Sequence, residues 1–281
     1  MTVANPLRGR RAALVTLHSK GVLIAPAVRE HAGIEVVEIV ADTDQFGTFS
    51  GEVPRAGGPL DAAKSKALLG IKLSGLSTGV ASEGVFGPHP ESPFLTCDTE
   101  YVMLVDEDLG LAIHEMEVQV GVPALSIDVS PESFGTVNFD ASGFPSHGLI
   151  VRPTGLKDPV VKGIHGCDEL RAAVQRCAPL SAERTATVQS DFRAIHHPTR
   201  RDVISRAADR LARRLAQLCP HCSTPGWGVV DVERGAPCAE CLFPTRLVKA
   251  DVFGCVGCGH RVTKERELIG VDARYCQWCN P

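Results

Sequence analysis

Eight of the eleven cysteines lie between residues 219 and 281, where they form four Cys-x-x-Cys pairs. The pairs are Cys219/Cys222, Cys238/Cys241, Cys255/Cys258 and Cys276/Cys279. Each pair presents two thiolates from one tight turn, and two such turns complete the tetrahedral four-thiolate shell that zinc prefers. A closed shell leaves no open position for water, so the pattern predicts two structural zinc ions per chain.

The spacing of the pairs bears on which of them share a metal. The three spacers between successive pairs are 15, 13 and 17 residues long. The first and third spacers fall in the range of zinc ribbons, which favours joining the first pair to the second and the third to the fourth. Nested pairing, with the first pair joined to the fourth, stays open because loop entropy grows only slowly with length.

Composition excludes several classes of protein. A hydrophobic content of 44% with 22% charged residues is typical of a globular chain, not of a disordered or fibrous one. The net charge of −4 argues against nucleic-acid binding through a basic field over the whole molecule. Residues 1–11 lack the apolar segment of a signal peptide, and no apolar run is long enough to span a membrane. We therefore expect a cytoplasmic protein with reduced thiols and no membrane partner.

The chain divides into an α/β domain at 1–198, a connecting helix at 199–218 and a zinc-ribbon module with two four-cysteine sites at 219–281. In the first part, apolar runs alternate with helical periodicity, which predicts a mixed sheet flanked by helices. Strands are predicted at 11–17, 34–40, 101–105, 111–118, 149–152 and 185–188, and helices at 22–31, 60–73 and 169–177.

The connecting helix has a start signal at Thr199 with Asp202 and apolar residues at a spacing of three to four. Its polar face carries a row of arginines, namely Arg206, Arg210 and Arg213. Such a row is either a solvated face or a surface that meets phosphates.

Two polar segments follow the first two predicted strands. The segment Thr16 to Gly21 contains Lys20 and small residues, which suit a phosphate at the start of the next helix. The segment Asp42 to Glu52 carries Asp42, Asp44 and Glu52, whose hard oxygen donors suit Mg²⁺. Lys66 lies beyond it as a candidate phosphate ligand. The alternative for the acidic segment is a solvated turn.

Two further polar segments hold candidate site residues. The segment Ala81 to Pro90 is rich in glycine and proline, which predicts an irregular loop that holds Glu83 as a base or metal ligand. The segment Ser190 to Arg201 brings two histidines and several arginines, including Arg193 and Arg200, to a helix N-terminus. A helix N-terminus with basic side chains predicts an anion site, and the alternative is a helix cap with an Asp191–Arg193 surface pair.

Three aromatic residues accompany the cysteines. Trp227, Tyr275 and Trp278 either stack on bases or form the small core of a metal-stapled domain. From residue 219 onward there are seven Lys and Arg residues against seven Asp and Glu residues, so attraction for phosphate is weak. A nucleic-acid partner is left open by this pattern.

The polar segments, the run Phe144 to Pro153 and the terminal Cys-x-x-Cys-Asn-Pro resemble an uncharacterised bacterial family, a domain of unknown function with C-terminal zinc ribbons. That resemblance implies no activity. The order of Thr16 and Lys20, Thr48-Phe49 with Glu52, Lys66-Ala67, Glu83 and the basic run 196–200 is also similar to nucleoside triphosphate pyrophosphatases of the inosine triphosphatase type. This second similarity implies hydrolysis of a phosphate anhydride.

Two functions follow as hypotheses. The first is a Mg²⁺-dependent hydrolase of phosphate anhydrides or esters. Its metal-binding or water-activating residues are Asp42, Asp44, Glu52 and Glu83, and its phosphate ligands are Lys20, Lys66, Arg193 and Arg200. The second is a noncatalytic module that binds a nucleotide or another small phosphorylated ligand, with zinc ribbons that dock a protein or nucleic acid.

Overall fold

A computed structural model of the chain describes residues 3–17, 20–47, 57–89, 92–267 and 270–280, with the backbone alone at 44, 92 and 93. The predicted fold class is confirmed: a mixed sheet is flanked by helices, and a small cysteine-rich module follows. No helix in these described ranges combines the length and the hydropathy needed to cross a membrane.

The first sheet has five strands in the order β2-β1-β3-β4-β5. The strands are β1 (Arg11–Thr16), β2 (Glu35–Val40), β3 (Thr78–His89), β4 (Ser92–Asp106) and β5 (Leu111–Val120). Strand β1 is parallel to both of its neighbours, β2 and β3, whereas β3, β4 and β5 pair antiparallel. The continuous apolar run of β1 fits this central position, because a strand between two layers of helix is buried on both faces.

Two helices connect the parallel strands and cover opposite faces of the sheet. Helix α1 (Gly21–Ala27) runs into a π-helical turn, Val28–Ala32, and packs on the face that carries Leu14 and Val80. Helix α2 (Pro59–Ser74) packs on the other face, against Ala81. The chain therefore leaves β1 in one direction to reach β2 and then crosses to its other side to reach β3. Open α/β sheets bind ligands outside the carboxyl ends of the strands at this kind of switch point.

The predicted loop at 81–90 is wrong, because residues 81–89 belong to strand β3 and pair with β4 along almost their whole length. The glycines have a packing role instead of a loop role. A Cβ at Gly84 would lie 2.2 Å from Glu100 Oε1 on β4, and one at Gly79 would lie 2.3 Å from the Ala67 carbonyl oxygen of α2. Glycine in this strand thus marks close approach by a neighbour.

A second sheet lies beyond the first, where the sequence predicted only more strands of one sheet. It contains β6 (Ser126–Val129), β7 (Leu149–Pro153), β8 (Val161–Ile164) and β9 (Ala186–Ser190), in the order β6-β9-β7-β8. Helix α3 (Cys167–Cys177) covers it with Leu170, Ala173 and Val174, which gives this sheet a separate core. Short strands with few alternating residues carry no signal that assigns them to one sheet or another.

Helix α4 (Pro198–Ala216) corresponds to the predicted connecting helix, but it is part of the first core. Its residues Ile204, Leu211 and Leu215 are fully buried against the face that α1 also covers. Burial of each such side chain contributes about 1.5–3 kcal/mol. The helix is capped by His197, whose Nδ1 accepts a hydrogen bond from the Arg200 amide, and not by the predicted Thr199.

The arginine row of α4 faces acidic side chains. Arg206 lies 3.2 Å from Glu117, Arg210 lies 3.6 Å from Glu115, and Arg213 pairs with Asp209 in its own helix. Arg206 and Arg210 therefore link α4 to strand β5, and each of the three arginines has an acidic neighbour that would compete with a phosphate.

The C-terminal module is a three-stranded antiparallel sheet in the order β10-β11-β12. Its strands are β10 (Gly228–Arg234), β11 (Val248–Gly254) and β12 (Arg261–Glu265). Arg214 of α4 donates to the Gly226 carbonyl and pairs with Glu115 of β5, which holds the start of the module against the first sheet. Short 3-10 turns occur at Asp44–Phe46, Phe134–Thr136, Asp140–Ser142, Ala178–Leu180, Ala194–His196 and Ala273–Tyr275.

Candidate functional site

The eight C-terminal cysteines form two tetrads, one at each end of the three-stranded sheet. The proximal tetrad, next to α4, contains Cys219, Cys222, Cys255 and Cys258. The distal tetrad contains Cys238, Cys241, Cys276 and Cys279. In each tetrad the four sulfur atoms lie within 4.8 Å of one another, so each could hold one metal ion.

The favoured sequential pairing is therefore wrong, and so is nested pairing, because the first pair joins the third and the second joins the fourth. The strands explain this arrangement. Cys219 and Cys222 precede β10, whereas Cys238 and Cys241 follow it, so the seven residues of β10 separate them by about 20 Å. Antiparallel pairing places Gly228 of β10 beside Gly254 of β11, which brings the first and third pairs to the same end.

All four cysteine turns share one backbone hydrogen bond. In each, the amide four residues after the first cysteine donates to that cysteine's carbonyl oxygen, at 2.8–3.1 Å. Three of these donors, Ser223, Leu242 and Gly259, have φ between 61° and 71°. In these three turns, a left-handed residue after the second cysteine closes the turn.

The geometry of both tetrads fits a tetrahedral thiolate site. Sulfur atoms from different turns lie 3.6 and 3.9 Å apart in the proximal tetrad and also 3.6 and 3.9 Å apart in the distal one. Four sulfurs at about 2.3 Å from a central zinc would lie about 3.8 Å from each other. The amides of Gly257 and Trp278 donate to the sulfurs of Cys255 and Cys276, which stabilises thiolate charge.

A second group of polar side chains lies at the carboxyl end of β1, at the switch point of the first sheet. We call Lys20, Lys66, Ser82 and Glu83 the lysine cluster. The Lys66 Nζ on α2 lies 2.5 Å from a carboxylate oxygen of Glu83, and the Lys20 Nζ donates to Ser82 Oγ at 3.1 Å. The register pairs Leu14 with Val80, so β1 ends level with Ser82 and leaves Glu83 just beyond its last residue.

Burial strongly affects the charge of this cluster. Burial, together with the positive charge of Arg200, lowers the pKa of Lys20 to about 7. Near neutral pH its ammonium form is therefore only partly populated. Because an anion beside Lys20 would favour its charged form, ligand binding here would be accompanied by proton uptake.

A buried triad of Arg200, Glu100 and Asp98 adjoins the lysine cluster. Arg200 of α4 is 1% exposed, forms an ion pair with Glu100 of β4 and donates to the Phe192 carbonyl at 2.5 Å. Asp98 and Glu100 are both fully buried. Burial and then the nearby Glu100 carboxylate raise the pKa of Asp98 to about 8, so these two carboxyl groups hold a proton between them at neutral pH.

The structure brings together only some of the residues that the sequence selected. Lys66 contacts Glu83, Lys20 contacts Ser82 on the opposite face, and the charges of Lys66, Glu83 and Arg200 all act on Lys20. Arg193 belongs to another ion pair, because its guanidinium contacts the buried Asp191 at 2.5 Å near strand β8. Asp42 is exposed after β2, and Glu52 and the side chain of Asp44 lie outside the described residues.

Three polar residues of these clusters were not predicted as site residues from the sequence. Ser82, Asp98 and Glu100 lie on one face of β3 and β4, opposite the face that carries Glu83. Asp98 and Glu100 are two residues apart, which is the spacing of side chains on one face of a strand. The sequence predicts this strand only from residue 101 onward. Asp98 and Glu100 lay outside it, so their spacing could not be recognised as that of one strand face.

The fold and the sites define a class of protein: a two-sheet α/β domain joined to a ribbon module with interleaved cysteine tetrads. The sequence model of the domain of unknown function DUF6671 matches residues 66–281, and the chain belongs to that family. The match includes Lys66, Glu83, the buried triad and both tetrads. No curated protein matches the chain.

Proposed function

We propose that the protein binds a small phosphate anhydride or ester at the lysine cluster and hydrolyses it. The observation that carries this proposal is that Lys20, bonded to Ser82 on one face of the sheet, lies close enough to the Lys66–Glu83 pair on the other face for their charges to affect it, just past the end of β1. Two lysines beside one carboxylate complement a ligand with several negative charges. The similarity to inosine triphosphatase-type pyrophosphatases, which places phosphate on such lysines, stays a prediction.

The pairing of Lys66 with Glu83 suggests how a ligand would change the cluster. Phosphate oxygens compete with the carboxylate for the Lys66 ammonium, and withdrawal of Lys66 leaves Glu83 able to accept a proton or bind a cation. Carboxylates of this kind act as general bases when they lie near the reacting water. Lys20 gains charge as the anion binds, which strengthens its contact with phosphate.

The donor set also fits Mg²⁺, which proteins bind through one or two carboxylates together with the phosphates of the substrate. Glu83 contacts Lys66, whereas Asp42 follows β2, which β1 separates from the strand of Glu83. Glu83 would therefore hold the ion, which supplies neutralisation of phosphate charge when bound.

The alternative proposal is a noncatalytic module that binds a nucleotide or another anion. The 3% exposure of Glu83 favours it, since a carboxylate that only holds Lys66 in position needs no access to water. In that case the lysines bind the ligand and Glu83 has a positioning role.

Turnover of a panel of nucleotides with Mg²⁺ separates the two proposals. Replacement of Glu83 by Gln keeps size and removes charge, so a catalytic role predicts about a 10²- to 10⁴-fold loss of turnover with retained ligand binding. Lys66→Ala should weaken nucleotide binding, whereas Lys64→Ala, an exposed lysine on the same helix, is the matched control. Undiminished turnover in Glu83→Gln, or equal binding by both lysine variants, would contradict the hydrolase proposal.

We further propose that both tetrads hold structural zinc. The sulfur distances and the absence of an open position support this choice of metal and role. Elemental analysis of purified protein should give two zinc ions per chain. A content of one zinc, or a folded module without metal, would contradict this proposal.

A further inference from the structure

The distal end of the cysteine module carries aromatic rings that the fold leaves exposed. Trp278, between the last two cysteines, stacks on Phe243 with ring centroids 4.8 Å apart and planes 2° from parallel. Trp278 is nevertheless 70% exposed, and the neighbouring Tyr275 is 57% exposed. These rings form a rigid platform, because Trp278 lies between two cysteines of the distal tetrad and Phe243 and Tyr275 each lie within two residues of a cysteine of that tetrad.

At the proximal end of the module, the aromatic residue Trp227 packs against other rings and has a core role. Trp227 stacks against both His260, at 5.5 Å, and Phe253, at 6.2 Å. The adjoining Gly226 lies against Ile113 of the first sheet. Of the two roles considered for these aromatic residues, the core role therefore fits Trp227, and the exposed Tyr275 and Trp278 need another explanation.

A polar pocket of about 260 Å³ lies next to the platform. Its lining residues are Arg246, Arg274, Tyr275, Gln277 and Asn280. Arg246 has no acidic partner among the residues that the structure describes. Arg274 lies 5.5 Å from the Tyr275 ring and also pairs with Asp272 at 2.8 Å, so it is partly neutralised.

We propose that this distal surface, made of Phe243, Trp278, Tyr275, Arg246, Arg274 and Gln277, binds an unpaired nucleic-acid strand. Exposed ring faces stack on bases whatever their sequence, and arginine supplies charge for the phosphates. The amide of Gln277 can donate to and accept from base edges. A duplex hides its base faces, so the platform distinguishes a single strand from a paired one. This inference does not depend on the hydrolase proposal.

The charge of the surface limits the strength of such binding. A tetrad of thiolates around Zn²⁺ carries two formal negative charges, and Asp272 and Glu240 are nearby in sequence. Arg246 and Arg274, which line the pocket, partly offset them, so few phosphate contacts are expected. For a single strand, each contact contributes about 0.7 to the slope of log affinity on log salt, so we expect a slope of about 1.4. Stacking should therefore contribute more than charge.

Fluorescence anisotropy of the full chain with both metals bound tests this proposal. The probes are labelled oligouridine, labelled oligodeoxythymidine and the latter paired with oligodeoxyadenosine. Both single strands should bind more tightly than the duplex, and the two affinities will show which sugar is preferred. Trp278→Ala should weaken binding about tenfold to a hundredfold, whereas Trp278→Phe keeps a ring and should retain most of it. Arg246→Ala should lower the salt slope by about 0.7.

Two matched variants serve as controls. Phe94→Ala removes a 96% exposed ring of β4, and Arg261→Ala removes an exposed arginine at the proximal end of the module. Both should bind like the unchanged protein, and every variant should keep its metal content. Equal binding by Trp278→Ala, tighter binding of the duplex, or no binding of either strand would overturn the proposal. A change of sedimentation mass in Trp278→Ala without any effect on oligonucleotides would assign the surface to a second copy of the chain.

Discussion

Counting zinc in double cysteine variants distinguishes the interleaved tetrads from every other pairing. Cys222, Cys241, Cys258 and Cys279 are the exposed members of the four pairs, so a change to serine there disturbs packing least. The structure joins Cys222 to Cys258 and Cys241 to Cys279. Two changes within one tetrad remove one metal ion, whereas changes in different tetrads remove both.

The energies make the result close to all or none. A structural zinc contributes about 10–16 kcal/mol of binding free energy, which is as large as the 5–15 kcal/mol that stabilises a typical domain. Loss of one thiolate should therefore abolish ordered binding at that tetrad under mild chelation. The single variant Cys222→Ser should hold one zinc per chain. Its combination with Cys258→Ser should still hold one, and its combinations with Cys241→Ser or Cys279→Ser should hold none.

The assay is elemental analysis of gel-filtered protein, with native mass spectrometry to confirm whole-number occupancy. Sequential pairing predicts retention of one zinc by the combination with Cys241→Ser, and nested pairing predicts it for the combination with Cys279→Ser. Either outcome would refute the argument from strand direction. Circular dichroism of the α/β domain controls for general unfolding, since α4 and the first sheet pack together without the module.

Two further perturbations test the packing and the electrostatics of the first sheet. The pKa of Asp98 is about 8 in the folded protein, above its ordinary value of 3.8, so the folded state binds more protons and the free energy of unfolding should fall between about pH 4 and pH 8. The slope for one proton is about 1.4 kcal/mol per pH unit, and Asp98→Asn should remove it in urea unfolding measured across this range. An unchanged slope would mean that Asp98 ionises normally. Gly79→Ala places a Cβ against the Ala67 carbonyl and should cost about 1–3 kcal/mol, whereas Gly87→Ala on the same strand meets open space and should change stability by less than about 0.5 kcal/mol. Equal thermal midpoints for the two alanine variants would contradict the close approach of α2.

Local periodicity was enough to predict most of the elements of the first sheet. The apolar run at 11–17 and the helical repeat at 60–73 correspond to β1 and α2 within one or two residues. Strand β3 was not predicted because its glycines and prolines are typical of loops. Two of the glycines, Gly79 and Gly84, are instead explained by the close approach of Ala67 and Glu100, which belong to distant segments and leave no local pattern.

The same holds for the sites: features that depend on neighbouring residues could be predicted, and features that depend on distant segments could not. Each Cys-x-x-Cys turn is a local feature, so all eight cysteines of the two tetrads could be predicted as candidate metal ligands. Which turns share a metal depends on the direction of β10, and spacer length carries no such information. Lys20, Lys66 and Glu83 come from separate segments, and the contact of Lys66 with Glu83 depends on the crossover of α2 to the far side of β1. Asp98 and Glu100 could not be found before the length of β4 was known.

The interleaved tetrads have a mechanical consequence for the sheet that they enclose. Strands β10 and β12 are mostly exposed, and polar strands of this kind specify their alignment with a neighbour only weakly. With metal bound at both ends, β11 cannot slide past β10 by even one residue without stretching a metal–sulfur bond. Alignment is then set by coordination chemistry instead of side-chain packing. The outer faces of these strands are accordingly free to vary in sequence without loss of the fold.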